Sequence, residues 1–383
     1  MSTYSSVVLN DLTFAWPDGR DLLTHVTGTF SHQRTGLIGA NGTGKSTLLR
    51  LITGDLTPSG GTISVSGIVD YLPQAITRSD GTLADLLGIS RVRQALSALE
   101  AGDSRPEVFE AIGDNWGIEA EAQAVLGSLG LPTDLDRDVA SLSGGEAMLA
   151  ALVGIQVRGA DIALLDEPTN NLDAISREKL YGLIRCWRGT LIVVSHDLDL
   201  LELMDETAEL RGGSLVTFGG PYSAYREWVR VQQDAAQQAM RTAEQLLERE
   251  KRERIKTEER IAHSQRQGRK DRENSKFPPI VSGMRKNAAE ASQGVRRGTA
   301  EARVAAAKSA VAEAELAVRS DSELVVDLPD PRVHATRRIL ELPSADERPF
   351  QIRGPERVAL IGPNGIGKTS LLESRVAEAL VLV

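Results

Sequence analysis

One eight-residue pattern occurs twice in this 383-residue chain, and few patterns restrict a fold more tightly. Residues 39–46 (GANGTGKS) and 362–369 (GPNGIGKT) both fit G-x-x-x-x-G-K-[S/T]. The repeat extends outward, since RTGLIGANGTGKSTLL (34–49) is echoed by PERVALIGPNGIGKTSLL (355–372), and duplicated surroundings make chance a poor explanation. In the first copy the loop follows an apolar strand-like run, Thr35–Ile38, and precedes helix formers at 47–52. That strand–loop–helix setting is what a phosphate-binding loop requires. Glycines let the backbone curl so that successive N–H groups point inward at phosphate oxygens, and the helix N-terminus adds positive dipole. The expected contacts are Gly39, Ala40, Asn41, Gly42, Thr43, Gly44, Lys45, Ser46 and Thr47. Lys45 is expected to reach the β- and γ-phosphates of ATP, and the Ser46 hydroxyl to ligate Mg2+. The second copy offers Gly362, Pro363, Asn364, Gly365, Ile366, Gly367, Lys368, Thr369 and Ser370.

Two further strand ends carry chemistry. IALLDEP (162–168) reads as a buried strand closing on two carboxylates. Asp166 suits coordination of Mg2+ through water, and Glu167 is placed to orient or deprotonate the water attacking a γ-phosphate. The apolar run 191–194 ends in Ser195-His196-Asp197, which places His196 where it can donate a hydrogen bond to that phosphate. LSGGE (142–146) precedes an alanine-rich helical stretch. There Ser143, Gly144 and Gly145 form a second anion-binding helix start.

The alternation of β-branched runs, helical patterns and glycine turns over residues 4–220 predicts an α/β domain with a largely parallel sheet. Beyond it the texture changes. Residues 229–349 hold one aromatic, Phe277, among Ala, Glu, Gln, Arg and Lys, a composition that forms helices but supplies little core. Pro278-Pro279 interrupts it, so residues 221–331 read as two long helices joined at a tip. The second has a narrow heptad seam of Val304, Val311 and Val318 with Ala307 and Ala314 between them. The first, about 222–276, has a weaker one through Met240, Leu247 and Ile255. A helix of about 45–50 residues reaches roughly 70 Å.

The formal charge of −9 is unevenly spread. Residues 264–297 contain nine Lys/Arg against three Asp/Glu, leaving +6 there and −15 elsewhere. A basic tip on an acidic body points to a polyanionic partner met at one place. One cysteine, Cys186, excludes a disulfide framework and cysteine-ligated zinc or iron–sulfur sites, and suits a reducing cytoplasm. No apolar run approaches the roughly 18–20 residues of a membrane span.

In this order the parts resemble the ATP-binding cassette superfamily, which implies an ATPase. The resemblance assigns Walker A to 39–46, the Q-loop glutamine to Gln74, the signature to 142–146, Walker B with its catalytic glutamate to 162–167, and the switch histidine to His196. It adds Gln74 to the Mg2+ ligands beside Ser46 and Asp166, makes Asn171-Leu172-Asp173 the D-loop, and puts Trp16 where an aromatic stacks on adenine. The implied fold is a P-loop cassette (4–220) with a helical subdomain at about 75–158, a helical hairpin linker (221–331) and the start of a second cassette (332–383).

LLDEPTNNLD (164–173), and Tyr222 and Tyr225 leading into a charged helical linker, resemble the F subfamily. These are soluble ribosome-associated ATPases whose hairpin enters the tRNA exit region. Some are translation factors, and others protect ribosomes from antibiotics. The resemblance implies ribosomal RNA or tRNA as partner through the basic tip. Two other readings stand beside it: an energy subunit working with a separate membrane permease, and a tether that binds ATP without turnover. The second cassette ends fourteen residues beyond Thr369, before any signature, Walker B or switch histidine. It is therefore expected to fold poorly, to leave hydrolysis weak unless two chains pair through their first cassettes, and to mark a fragment or a frame-shifted end.

Overall fold

The computed structural model describes residues 5–74, 81–170, 172–273, 279–319, 333–342, 350–362 and 366–381. Asn171, Phe277, Pro278, Pro363, Asn364 and Gly365 lie outside them, as do the side chains at 268–269 and 271–289, which include much of the basic tip. The chain forms two compact units, Met1–Tyr225 with Pro331–Val383, and Arg226–Asp330.

The first unit opens with β1 (Ser6–Ala15), β2 (Asp21–Phe30), β3 (Arg34–Ile38), α1 (Lys45–Ile52), β4 (Gly60–Ser66) and β5 (Val69–Leu72). Helices α2 (Leu83–Leu86), α3 (Ser90–Glu100), α4 (Pro106–Ile112), α5 (Ile118–Ser128) and α6 (Gly144–Val157) follow. Then come β6 (Ile162–Asp166), α7 (Ala174–Arg185), β7 (Thr190–Val194), α8 (Leu198–Leu201), β8 (Glu206–Arg211) and β9 (Ser214–Phe218). The strands make a three-stranded antiparallel sheet, β2-β1-β4, and a six-stranded sheet in the order β5-β6-β7-β3-β8-β9. In the larger sheet only the β8–β9 pair is antiparallel.

All ten residues of β6 and β7 are buried, as parallel strands covered on both faces require. Alternation sends Ile162 and Leu164 to a core shared with Leu48, Leu49 and Phe30, while Ala163 and Leu165 enter the core built on α6 and α7. Between these cores β3, β6 and β7 run side by side, with Leu37 and Asp166 both opposite Val194. Their C-terminal ends, and the loops that follow, therefore open on one edge of the sheet.

α6 is apolar almost all round and buried along its length, as a helix in the middle of a core must be. Gly154 sits where a Cβ would come within 2.6 Å of the Leu87 carbonyl oxygen. At the end of α6, Arg158 reaches back to pair with Asp70 at 2.9 Å and donates to the Leu87 carbonyl, tying α6 to β5.

In the second unit α9 (Tyr222–Glu273, beginning in the first unit) and α10 (Pro279–Ala317) lie against one another. The Gln233 side chain donates to the Arg319 carbonyl and accepts from its N–H, at 3.2 and 3.0 Å, and Gln265 bonds Gln293 at 3.0 Å. The seam of the second helix follows the heptad, with Val304 and Ala307 buried and Val311, Ala314 and Val318 half-buried. Along α9 the sheltered positions include the seven-residue series 233, 240, 247, 254 and 261, with 236, 243, 250 and 257 between them. Ile255 is 50% exposed and leaves the seam expected of it. Seven residues beyond Leu247 falls on Arg254, whose aliphatic stem takes that inward place.

Residues 333–381 contain a hairpin of β10 (Arg338–Leu342) and β11 (Phe350–Arg353), then α11 (Lys368–Val381). The repeat of β3, residues 357–361, forms no strand, and Val358, Leu360 and Ile361 are exposed, the last by 90%. β3 is held by β7 and β8, more than 150 residues further along, and no strand plays that part for 357–361 among the described residues.

Gly154→Ala is expected to destabilise the protein by about 1–3 kcal/mol through overpacking on Leu87, although alanine is the better helix former. Urea unfolding at fixed temperature reads this directly, and an equally stable variant would show that the close approach does not matter.

Candidate nucleotide-binding site

The loop between β3 and α1 takes its shape from glycine. Gly39, Gly42 and Gly44 have φ of 153°, 80° and 101°, and a Cβ on Gly39 would lie 2.4 Å from the Leu210 carbonyl oxygen. Thr43 closes the turn, its hydroxyl donating to the Ala40 carbonyl at 2.9 Å. Lys45 is buried, and its ammonium donates to the Gly39 and Ala40 carbonyls at 2.7 and 3.0 Å. Burial pulls its pKa below the ordinary lysine value, against the fields of Glu167 and Asp166. Ser46 and Asn41 face solvent, and Thr47 is half-buried.

Asp166 and Glu167 are buried at the end of β6. The Tyr71 hydroxyl donates to Asp166 Oδ2 at 3.3 Å, whereas Oδ1 is buried without a hydrogen-bond partner. Glu167 is one of the few non-glycine residues with positive φ, 51°, a conformation that costs of order 1–3 kcal/mol and collects at functional sites. Its N–H bonds the Val194 carbonyl at 2.8 Å, locking the strained residue to β7. His196 leaves the end of β7 with Nε2 3.4 Å from Glu167 Oε1. Burial raises the Glu167 pKa, opposed by His196 and Lys45 and reinforced by Asp166.

The segment around His196 is anchored on both sides. Ser195 Oγ meets Thr169 Oγ1 at 3.4 Å and accepts from Asp197 N–H at 3.0 Å. Asp197 caps α8 through Oδ1 and accepts the Tyr181 hydroxyl through Oδ2 at 2.8 Å.

Lys45, Asp166, Glu167 and His196 thus form one cluster, with acid, base and cation within each other's fields. The donor set fits Mg2+, because an oxygen-rich edge with a bare buried carboxylate oxygen suits a hard cation that keeps part of its water shell. Trp16 stands on the β1–β2 turn, edge-on to Phe14 at 5.2 Å, and Gln74 is exposed just past β5.

Ser143 lies elsewhere. It caps α6 in a reciprocal box, accepting from Glu146 N–H at 3.2 Å while Glu146 Oε2 accepts from Ser143 N–H at 2.8 Å. Gly144 is half-buried, and a Cβ on Gly145 would lie 2.9 Å from Ser176 Oγ. No hydrogen bond or ion pair joins Ser143 to the Lys45 cluster among the described residues.

In the second loop the described part repeats the first in miniature. Lys368 Nζ donates to the Gly362 carbonyl at 2.7 Å, as Lys45 does to Gly39, and Gly367 has φ of 90° where Gly44 has 101°. Ile366 is exposed, and Thr369 and Ser370 lie in the first turn of α11.

Tyr71, Thr169, Ser195 and Tyr181 are the site residues that sequence reasoning missed. Tyr71, Thr169 and Tyr181 each act through a partner brought in from another part of the chain, which no local pattern reveals.

Because burial raises the Glu167 pKa, ionising it weighs against the folded state at neutral pH. Glu167→Gln is therefore expected to raise the melting temperature at pH 7–8. The gain should shrink as pH falls through the raised pKa of the folded state and be gone below the ordinary glutamate value of 4.5, where the carboxyl is neutral in both states. A gain that grew on acidification would contradict the assignment.

Comparison with known proteins agrees with this geometry. Residues 23–170 match the family described as ABC transporter. The chain is 28% identical to the tylosin resistance ATP-binding protein TlrC of Streptomyces fradiae, over 98% of this chain and 73% of that protein. It is 32% identical to the probable ATP-binding protein YheS of Escherichia coli K12, over 64% of this chain and 39% of that one. With the energy-dependent translational throttle protein EttA of Mycobacterium tuberculosis H37Rv the identity is 26%, over 97% and 63%. The chain thus spans between about two fifths and three quarters of the length of these relatives. A phosphate loop, paired carboxylates and histidine on one sheet edge, with these relatives, make the chain similar to proteins of the ATP-binding cassette superfamily, members of its F subfamily among them.

Proposed function

We propose that this chain binds and hydrolyses ATP at its first cassette, residues 4–220, and uses the helical hairpin at 221–331 to act on the ribosome. The cluster of Lys45, Asp166, Glu167 and His196 carries the first half of the reading. Lys45, now held by loop carbonyls, exchanges them for the β- and γ-phosphates. The loop amides and the start of α1 receive the remaining negative charge. Ser46 and Gln74 would hold Mg2+, with Asp166 reaching it through water, and the metal would supply charge neutralisation to the transferring phosphoryl group. Glu167, made more basic by burial while His196 and Lys45 favour its ionised form, and held rigid by β7, orients the attacking water and takes its proton. His196 hydrogen-bonds the γ-phosphate, and Trp16 stacks on the base.

No hydrogen bond or ion pair joins the signature serine to this cluster among the described residues, and the family resemblance implies a site completed by a second signature. Two chains paired through their first cassettes would each offer Ser143, Gly144 and Gly145 to the other's nucleotide. The loop of the partial second cassette, at 332–383, would bind nucleotide through Lys368 but brings no water-activating carboxylate of its own.

The ribosomal half rests on the hairpin and the relatives. Ser223 bonds Glu202 through both N–H and hydroxyl, at 2.7 and 2.8 Å, and Tyr225 packs edge-on to Phe218 at 6.0 Å. The base of α9 is therefore fastened to the cassette. A 52-residue helix spans about 78 Å, and a tip of net +6 suits RNA phosphates with a salt-dependent affinity. A translational throttle and a resistance protein among the relatives favour translation or its protection from antibiotics, in the cytoplasm. No helix among the described residues is long and apolar enough to cross a membrane.

Lys45→Ala should weaken binding of a fluorescent ATP analogue by at least about tenfold, since it removes the charge-assisted contacts to phosphate; unchanged affinity would remove the loop from the site. Sedimentation of the chain with ribosomes, with and without residues 264–297, tests the partner. Loss of co-sedimentation on deletion, and its weakening by salt, are the expected outcomes. Co-purification with a membrane permease instead would overturn the ribosomal reading.

A further inference from the structure

Asp166 is 3% exposed, yet its two oxygens are treated differently. Oδ2 accepts the Tyr71 hydroxyl at 3.3 Å, and Oδ1 is buried without a hydrogen-bond partner. The contact arises from strand register: Tyr71 on β5 lies opposite Leu164 on β6, so Asp166 is two residues further along the neighbouring strand and on the same face. The Tyr71 ring is half-buried against the core that includes Leu48, Leu49 and Leu164. Burial, with help from Asp166, pushes its phenol up to about 12, so it remains a donor throughout the physiological range.

The terminal torsion of a carboxylate is soft and nearly two-fold. Its oxygens are interchangeable unless a neighbour distinguishes them, and a hydroxyl fixed by a packed ring does so. We propose that Tyr71 is a positioning residue for the Mg2+ site: by occupying Oδ2 of Asp166 it reserves Oδ1 for the metal or its water. This rests on the ATP reading above and adds a residue outside the recognised motifs. Tyr71 also lies three residues before Gln74, so one short strand and its exit serve the same cation twice. Outer hydrogen bonds of this kind orient metal ligands, and losing one commonly costs 10–100-fold in metal affinity. A neutral donor at 3.3 Å sits at or below the low end of that range.

The test uses the intact chain and Tyr71→Phe, which keeps the ring and removes only the donor. Binding of an N-methylanthraniloyl-ATP probe is followed in EDTA and then across a Mg2+ titration. In EDTA the two proteins should bind the probe within about twofold of each other. The Mg2+ concentration giving half of the added affinity should rise about 3- to 10-fold in Tyr71→Phe. Asp166→Asn should abolish most of the Mg2+ response and mark the full effect. A tyrosine that only fills the core predicts the same Mg2+ midpoint in wild type and Tyr71→Phe, and that result overturns the proposal. A wild-type chain that binds no probe at all overturns the ATP reading as well, and the wild-type titration separates the two failures.

Discussion

The parallel pairing of β3, β6 and β7 is the constraint on which the site depends. These strands come from positions 34–38, 162–166 and 190–194, far apart in the chain, and each delivers a different group at its C-terminal end. β3 delivers the phosphate loop and Lys45, β6 the two carboxylates, and β7 the histidine. Once the registers Leu37–Val194 and Asp166–Val194 are set, the four groups meet without further adjustment. A one-residue slip of β6 would turn Asp166 to the other face and exchange its two core memberships. The complete burial of β6 and β7 makes such a slip expensive, because every apolar residue would change sides.

On that frame the site is built from groups in uncomfortable positions. Glu167 holds a left-handed backbone and a buried carboxyl, and Lys45 holds a buried ammonium that satisfies itself on loop carbonyls. Each is tolerated because Lys45 and Glu167 lie in each other's fields and the backbone is pinned: Glu167 by the Val194 carbonyl, the loop by glycines that admit positive φ. The signature serine stands in contrast, fully satisfied in a capping box. Its hydroxyl is committed to the start of α6.

Local patterns made much of this legible. The phosphate loop, the buried strand ending in Asp166 and Glu167, and the helix after Ser143 each carry their signal within a dozen residues, because loop shape and strand burial are local matters. The heptad of the second hairpin helix was legible for the same reason. The α9 seam was misread at Ile255, which is exposed, while the seven-residue step fell on Arg254 and then on the buried Ile261. Tyr71 and Tyr181 could not be found this way. Their partners lie 95 and 16 residues away, and their roles follow from strand pairing and from packing of α7 against the β7 exit. The run at 357–361, in the segment expected to fold poorly, has the residues of a strand but forms none, because a parallel strand forms only when neighbours supply its hydrogen bonds.

Equilibrium dialysis of the intact chain against radiolabelled ATP with excess Mg2+ tests the central claim most directly, because it counts bound nucleotide without assuming turnover or a partner. Saturable binding, competed by unlabelled ATP, is the result this site predicts. No retained label at any protein concentration would contradict it.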